Sequence, residues 1–243
     1  MERIATKVRE QQPDLVLLQE VWLGAYVRSL SRALAGDYEI IYRARPLTRR
    51  PRGGLVVFLR RRSGWVAESA TFEMYPSSAP GWRVWEGDGI SGKGLLALRF
   101  RRDDETLGIV NTHLQAQYPH SGRLYPEVRS SQLRMLNDFV AREYRDVPLL
   151  IAGDLNTAPA EGLYASQIAA LGTDLTVNVR RECASGTHID ARSGASDWID
   201  YVIARNVTVD AAVLRIVNDA ADSPFSAPHG LLVRLTYQGN QPR

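Results

Sequence analysis

Residues 147–156 read Val-Pro-Leu-Leu-Ile-Ala-Gly-Asp-Leu-Asn, "VPLLIAGDLN". A short apolar run between Pro148 and Gly153 is the pattern of a strand buried on both faces, typical of the inside of an α/β sheet. Where the apolar run stops, the chain places an acid and an amide, Asp154 and Asn156. Just upstream, 127–145 has the strongest helical pattern in the chain, with Val128, Leu133, Leu136, Phe139 and Val140 on one stripe and Pro148 beyond its end.

Working outward, 2–12 reads as an amphipathic helix stopped by Pro13, and "PDLVLLQEV" as a short buried strand. "GDYEIIYRA", "GGLVVFLRR" and "GWVAESATFEMY" read as strands, and "GLLALRFRR" with "TLGIVNTHL" as a hairpin turning at Asp103-Asp104-Glu105. A short helix is expected over 161–171, and "DWIDYVIA", "VTVDAAVLRIV" and "HGLLVRLTY" supply the last strands. Strands dominate, helices are interspersed, and no linker or repeat divides the chain. The expectation is one α/β domain over 1–243 with layered sheets and outer helices.

Apolar content of 44% and charge of 23% suit a globular protein with a substantial core. No apolar run approaches the ~20 residues a membrane-spanning helix needs, and no signal-peptide pattern opens the chain. A soluble protein is expected, cytoplasmic or secreted after loss of a leader. Cys183 stands alone, so no internal disulfide forms. Of the 30 Lys and Arg, only Lys7 and Lys93 are lysine, and the isoelectric point is about 9.1. Between residues 43 and 62 lie eight arginines (43, 45, 49, 50, 52, 60, 61 and 62) and no carboxylate. Any one of them reads as a solvated side chain in an Arg-favouring composition; together they read as a landing surface for a polyanion.

Several polar groups stand where apolar strands run out. Gln19-Glu20 end "LVLLQE", Asn111-Thr112-His113 end "LGIVNTH", and Asp154 and Asn156 end "PLLIAGDLN". Asp200 lies in "WIDYV" and His229 opens "HGLLV". Taken singly, such a residue is a turn former or a cap. Five endings that each carry a metal-binding or proton-moving group point to a cleft along one rim of a sheet.

The ordered set "LLQEV", "NTHL", "GDLN", "IDYV" and a late His before "GLLV" resembles the endonuclease/exonuclease/phosphatase superfamily, the DNase I-like fold. "ISGKGLLAL", "NTHLQAQY" and "RSSQLRMLNDF" are similar to its neutral sphingomyelinase-like branch. The resemblance covers nearly the whole chain. It implies a four-layer α/β sandwich of two packed mixed β-sheets with helices on the outer faces. It also implies hydrolysis of a phosphodiester by activated water with Mg²⁺, or Mn²⁺ in its place.

Carried over residue by residue, the resemblance makes Glu20 the metal ligand. Asp154 orients or deprotonates the water, and Asn156 binds the phosphate or that water. His113 donates to a phosphate oxygen in the transition state. His229 acts as general base or phosphate contact, with its tautomer held by Asp200. Two departures stand out. Ala227-Pro228-His229 replaces the family's Ser-Asp-His, leaving a carboxylate out unless Asp219 or Asp222 reaches in. The family's first strand, which carries an Asn, also has no counterpart here, because the chain opens on the helix that follows it. In the family that strand is interior to a sheet, so its loss would leave edges open. A shortened chain accounts for this, and so does pairing with a second copy as a homodimer.

Three functions follow as expectations. The first is a sphingomyelinase-like phosphodiesterase acting on a lipid head group. The second is a nuclease on DNA or RNA, and the third a phosphate-binding homologue that no longer cleaves. Tyr75, Trp82 and Trp85, among the Pro and Gly of 72–94, would contact a membrane surface, stack on bases, or pack over a sheet end. Tyr118 and Tyr125 carry the same ambiguity. His120 and His188 sit in no matching motif.

Overall fold

The structure, a computed structural model, describes the chain except for residues 46–47, 49, 77–91, 119–121, 123, 183–185, 190–195, 218–229 and 239–243. Strand β3 (Val56–Arg60) shows how the layers arise. Its successive side chains point to opposite sides. Leu55, Val57 and Leu59 enter one apolar cluster while Val56 and Phe58 enter another. β1 (Leu15–Leu18) and β2 (Tyr38–Ile41) pair antiparallel on either side of β3. Helices α1 (Glu2–Gln11) and α2 (Gly24–Leu34) cover the outer face with Ala5, Val8, Val27, Leu30 and Leu34. Among the described residues, β1 has a hydrogen-bonded neighbour on one side only.

The larger sheet contains β4 (Val66–Met74), β5 (Gly94–Arg102), β6 (Glu105–His113), β7 (Leu149–Asp154), β8 (Thr173–Asp174) and β11 (Asp200–Arg205). Their order is β4-β5-β6-β7-β11-β8. Only the β6–β7 pair is parallel, and a parallel pair needs a crossover, supplied by helix α3 (Pro126–Glu143). Leu96, Leu98 and Phe100 face the small sheet, whereas Leu95, Ala97, Val110 and Ile151 face Leu133, Leu136, Phe139 and Val140 of α3. The result is the expected four layers. Along the chain, short helix α4 (Val177–Glu182) and the β9 (His188–Ile189)–β10 (Ser196–Asp197) ribbon connect β8 to β11, and β12 (Thr208–Val217) and β13 (Gly230–Gln238) form a separate two-stranded ribbon. No helix among the described residues is long and apolar enough to cross a membrane.

The short helix expected over 161–171 forms, but irregularly: a π-helical turn at Tyr164–Ile168 runs into a 3₁₀ turn at Ala169–Leu171. The Ser166 hydroxyl donates to the Gly162 carbonyl at 2.7 Å, and the wider turn lets Leu163, Tyr164, Ile168 and Leu171 all meet the core. Helix α2 is an element the strand-centred reading passes over, although Val27, Leu30 and Leu34 recur at helical spacing. Tyr75 resolves to the core: it is 4% exposed and its hydroxyl bonds Thr112 at 2.6 Å. Trp82 and Trp85 lie outside the described residues, while Tyr118 and Tyr125 meet edge to face with centroids 6.4 Å apart.

Candidate active site

Three strands deliver the candidate residues to one rim. His113 is the last residue of β6 and Asp154 the last of β7, and the parallel register pairs the two directly. Asp200 opens β11 opposite Asp154 in the antiparallel register. Two carboxylates and an imidazole are therefore placed side by side by backbone hydrogen bonding alone. Gly153 permits this spacing: its φ is 145°, and a Cβ there would run into the Thr112 carbonyl oxygen.

Asn111, two residues before His113, is fully buried and ties the two sheets together. Its Nδ2 donates to the carbonyls of Leu18 (3.1 Å) and Val56 (3.3 Å), and its Oδ1 accepts from Gln19 Nε2 at 2.7 Å. That clamp sets the end of β1, from which Glu20 emerges exposed with φ 57°. A left-handed backbone at a non-glycine residue costs on the order of 1–3 kcal/mol and persists only where the surroundings hold it. Asn156 is held likewise, at φ 47°. Its N–H donates to Asp154 Oδ1 at 2.8 Å, its Nδ2 to the Leu114 carbonyl at 3.1 Å, and its own carbonyl accepts from Gln117 Nε2 at 2.8 Å.

The electrostatics are those of a crowded acidic rim with one buried cation. Burial, and then the negative charge of Asp200, push the Asp154 carboxyl well above the usual carboxylate range. Lys93 and the Asn156 N–H pull it back, and Glu20 adds to the rise. Burial pushes Asp200 up to about 6, opposed by its hydrogen bond with Thr187. Asp200 Oδ2 is buried and has no hydrogen-bond partner among the described residues. His113 is 2% exposed, and burial followed by the Lys93 charge holds it well below 6.5, so the ring is neutral. Lys93 Nζ lies 2.7 Å from His113 Nε2 and 3.1 Å from Nδ1, so the neutral ring offers the ammonium a nitrogen acceptor. His113 Nε2 is also 3.7 Å from Asp154 Oδ2.

Lys93 thus joins the candidate site; it lies in the "ISGKGLLAL" stretch, to which the sequence reading assigns no role. It is 1% exposed at the mouth of β5, with its ammonium 5.9 Å from the Trp22 ring. A second signal is its rarity: one of two lysines in a chain that otherwise uses Arg.

A second layer, drawn largely from the "RSSQLRMLNDF" and "NTHLQAQY" stretches without a role assigned there, braces the loop after β7. Arg129 of α3 is fully buried; it donates from Nε to Thr157 Oγ1 (3.1 Å) and from a terminal nitrogen to Glu161 Oε2 (2.6 Å), and it also bonds the Leu124 carbonyl. Glu161 Oε1 accepts from the Ala158 N–H and from Gln117 Nε2, both at 2.7 Å. Gln132 accepts from the Gln115 N–H at 2.8 Å, fixing the segment after His113.

Glu20, His113, Asp154, Asn156 and Asp200 all belong to this rim, linked by register, hydrogen bonds or mutual charge. His229, Ala227, Pro228, Asp219 and Asp222 lie outside the described residues, as do His120 and Cys183. Among the described residues no group of three His, Cys, Asp or Glu is arranged to hold a metal ion.

The Endonuclease/Exonuclease/phosphatase family profile matches residues 1–226. Sphingomyelinase C of Bacillus cereus is 27% identical over 134 residues, covering 48% of this chain and 40% of that protein. Sphingomyelin phosphodiesterase 2 of Homo sapiens is 26% identical over 162 residues, covering 66% and 37%. The matched stretch therefore spans less than half the length of either relative. Among solved structures, D. rerio TDP2 complexed with single strand DNA product superposes with a TM-score of 0.71 at 16% identity, covering 98% of this chain and 90% of that one. With a matching profile over nearly its whole length and a DNase I-like fold, the chain belongs to the Endonuclease/Exonuclease/phosphatase family.

Proposed function

We propose that the chain hydrolyses phosphodiester bonds with a divalent cation and a water molecule activated at the β6–β7–β11 rim. The observation that carries this is the in-register placement of His113, Asp154 and Asp200 beside the buried ammonium of Lys93. Asp154, with basicity raised by burial and by Asp200, is suited to take the water's proton. Asn156, locked by three hydrogen bonds, positions that water or a phosphate oxygen. Lys93 and His113 would act as preset donors to the charge that builds up on the phosphate, where such groups stabilise a transition state most. His229, which lies outside the described residues, would complete the set as proton donor or base with Asp200 holding its tautomer.

The rim's donor chemistry fits a hard divalent cation. Its ligands are carboxylate oxygens that repel one another, and Glu20 contributes to that repulsion. A cation such as Mg²⁺ takes one or two protein carboxylates and fills its remaining positions with water and substrate oxygens. Glu20 would hold it, and once bound it would neutralise phosphate charge and make the nearby water more acidic.

The curated relatives favour a phosphocholine-type ester of a lipid as substrate. The basic balance of the chain, net +3 with the 43–62 arginines, favours a second reading, a polynucleotide. Hydrolysis of a small activated phosphodiester with Mg²⁺ or Mn²⁺, then with excess chelator, tests the reaction. The expected result is turnover that the chelator abolishes and added metal restores. Turnover indifferent to chelator, or none with any divalent metal, rejects the proposal.

A further inference from the structure

Arg60 and Arg61 have local structural partners: Arg60 pairs with Asp14 at 2.5 Å and Arg61 donates to the Ala35 carbonyl at 3.4 Å. The remainder of the arginine run is arranged differently. Ala44 bridges Pro51, Arg52 N–H donates to the Arg43 carbonyl at 2.7 Å, and Arg45 N–H donates to the Arg50 carbonyl at 2.8 Å. This is an antiparallel ribbon in which Arg43 stands opposite Arg52 and Arg45 opposite Arg50. Alternate residues share a face, so both pairs lie on the same side. Like charges directly opposite each other destabilise such a ribbon. No carboxylate occurs between residues 43 and 62 to relieve them, and neither Arg43 nor Arg52 forms an ion pair among the described residues.

Arg43 and Arg52 line an open groove of about 340 Å³ with Ala70, Thr71 and Phe72 of the edge strand β4. Both are held in place. Arg43 donates from Nε and a terminal nitrogen to the Ala70 carbonyl, and the Arg52 guanidinium lies 6.0 Å from the Phe72 ring centroid. The groove adjoins the hydrolytic rim. The Phe72 ring packs on Gly94, where a Cβ would stand 2.6 Å from it. Gly94 follows Lys93 and is in register with His113. Arg45 reaches toward Gly92, its terminal nitrogen 3.6 Å from where a Cβ would stand. Thr71 and Phe72 pair with Ala97 and Leu96, two to three residues from Gly94, or about 7–10 Å at ~3.3 Å per residue.

We propose that Arg43 and Arg52 form a phosphate-holding subsite, occupied by a phosphate of a polynucleotide strand next to the one being cleaved. The assignment rests on the phosphodiester-hydrolase reading and selects its substrate class. A phosphocholine lipid brings one phosphate, which the hydrolytic rim consumes, together with a cation that paired guanidinium groups repel. A polynucleotide brings further phosphates at regular intervals, and Arg binds them bidentately while Phe72 offers an apolar wall. An anionic membrane is flat and fits a concave groove less well.

The test is binding of a fluorescent single-stranded oligonucleotide, in chelator so that nothing is cleaved, followed by anisotropy over a range of salt. Wild type is compared with Arg52→Gln and with Arg43→Gln/Arg52→Gln, each checked for an unchanged melting temperature. Arg52→Gln serves as the safeguard, since Arg43 also holds the edge of β4. The double variant is expected to bind about tenfold more weakly at low salt, with a log–log salt slope shallower by about 1.4, ~0.7 for each single-strand phosphate that is no longer neutralised. Arg52→Gln alone should give about half that change in slope. Hydrolysis of a small activated diester, which has no second phosphate, should stay at the wild-type rate. Unchanged oligonucleotide affinity and slope would overturn the subsite. So would a loss confined to vesicles of anionic lipid, which would make the ribbon a membrane contact. If the wild type hydrolyses no diester with any metal, the hydrolase reading falls, and the oligonucleotide measurement still decides the groove.

Discussion

Arg129→Met removes a fully buried guanidinium from the brace behind the Asp154–Glu161 loop. Breaking a buried ion pair from one side costs about 3–5 kcal/mol, because the surviving charge is left without its partner. Here the survivor, Glu161, keeps 28% side-chain exposure and two other donors, Ala158 N–H and Gln117. The loss is therefore set at the lower end, about 3 kcal/mol, even though Thr157 Oγ1 and the Leu124 carbonyl also lose a donor. For a chain of this size that corresponds to a fall in Tm of roughly 6–12 °C. The assay is urea unfolding of wild type, Arg129→Met, Glu161→Gln and the double variant. A coupling energy of at least about 1 kcal/mol is expected between the two positions. A loss under about 1 kcal/mol, or strictly additive single effects, would refute the claim that this pair braces the loop.

Other positions make independent tests. Asn111→Ala strands the Leu18 and Val56 carbonyls and Gln19 between the sheets, and should cost about 2–4 kcal/mol in the same unfolding assay. Gly153→Ala drives a Cβ into the Thr112 carbonyl; a loss of at least ~2 kcal/mol is expected, or failure to accumulate as folded protein. Asp200, raised to about 6 from 3.8, binds its proton more tightly when folded. Its contribution to stability is therefore complete below pH ~4 and is lost as pH rises through about 6, by about 2–3 kcal/mol in metal-free buffer. Asp200→Asn should flatten that part of the stability–pH curve, and an unchanged curve would contradict the burial argument. Lys93→Met should raise the His113 pKa, read by NMR titration, while leaving it below 6.5, because burial is the larger cause.

What is legible in the sequence is whatever local pattern dictates. Buried strands announce themselves by apolar runs, so β3, β5, β6 and β7 and the polar residues at their ends are visible, and register then brings His113, Asp154 and Asp200 together. α2 is legible and passed over: Val27, Leu30 and Leu34 recur at helical spacing, although no side-chain cap marks its start. The π-turn at Tyr164–Ile168 depends on tertiary packing and on Ser166 competing for a carbonyl, neither of which leaves a periodic trace. Lys93 and Arg129 fall in the stretches "ISGKGLLAL" and "RSSQLRMLNDF", but their burial and roles are illegible for a related reason. Each is a charged side chain buried by residues distant in sequence, Lys93 beside His113 and Trp22, Arg129 beside Thr157 and Glu161. Composition places such side chains at the surface by default. Tyr75 shows the converse: a Pro- and Gly-rich neighbourhood suggests exposure, and the hydrogen bond to Thr112 shows a core position.

The most direct test of the central claim is turnover of an activated phosphodiester by Asp154→Asn, measured beside its melting temperature. Asp154 is desolvated and faces Asp200, so a neutral isostere removes repulsion there. The account predicts a Tm equal to or above that of wild type, with turnover reduced by about 10²-fold or more, as expected on losing a general base. Turnover within a few-fold of wild type from the folded variant would contradict the assignment of Asp154 as the residue that activates water.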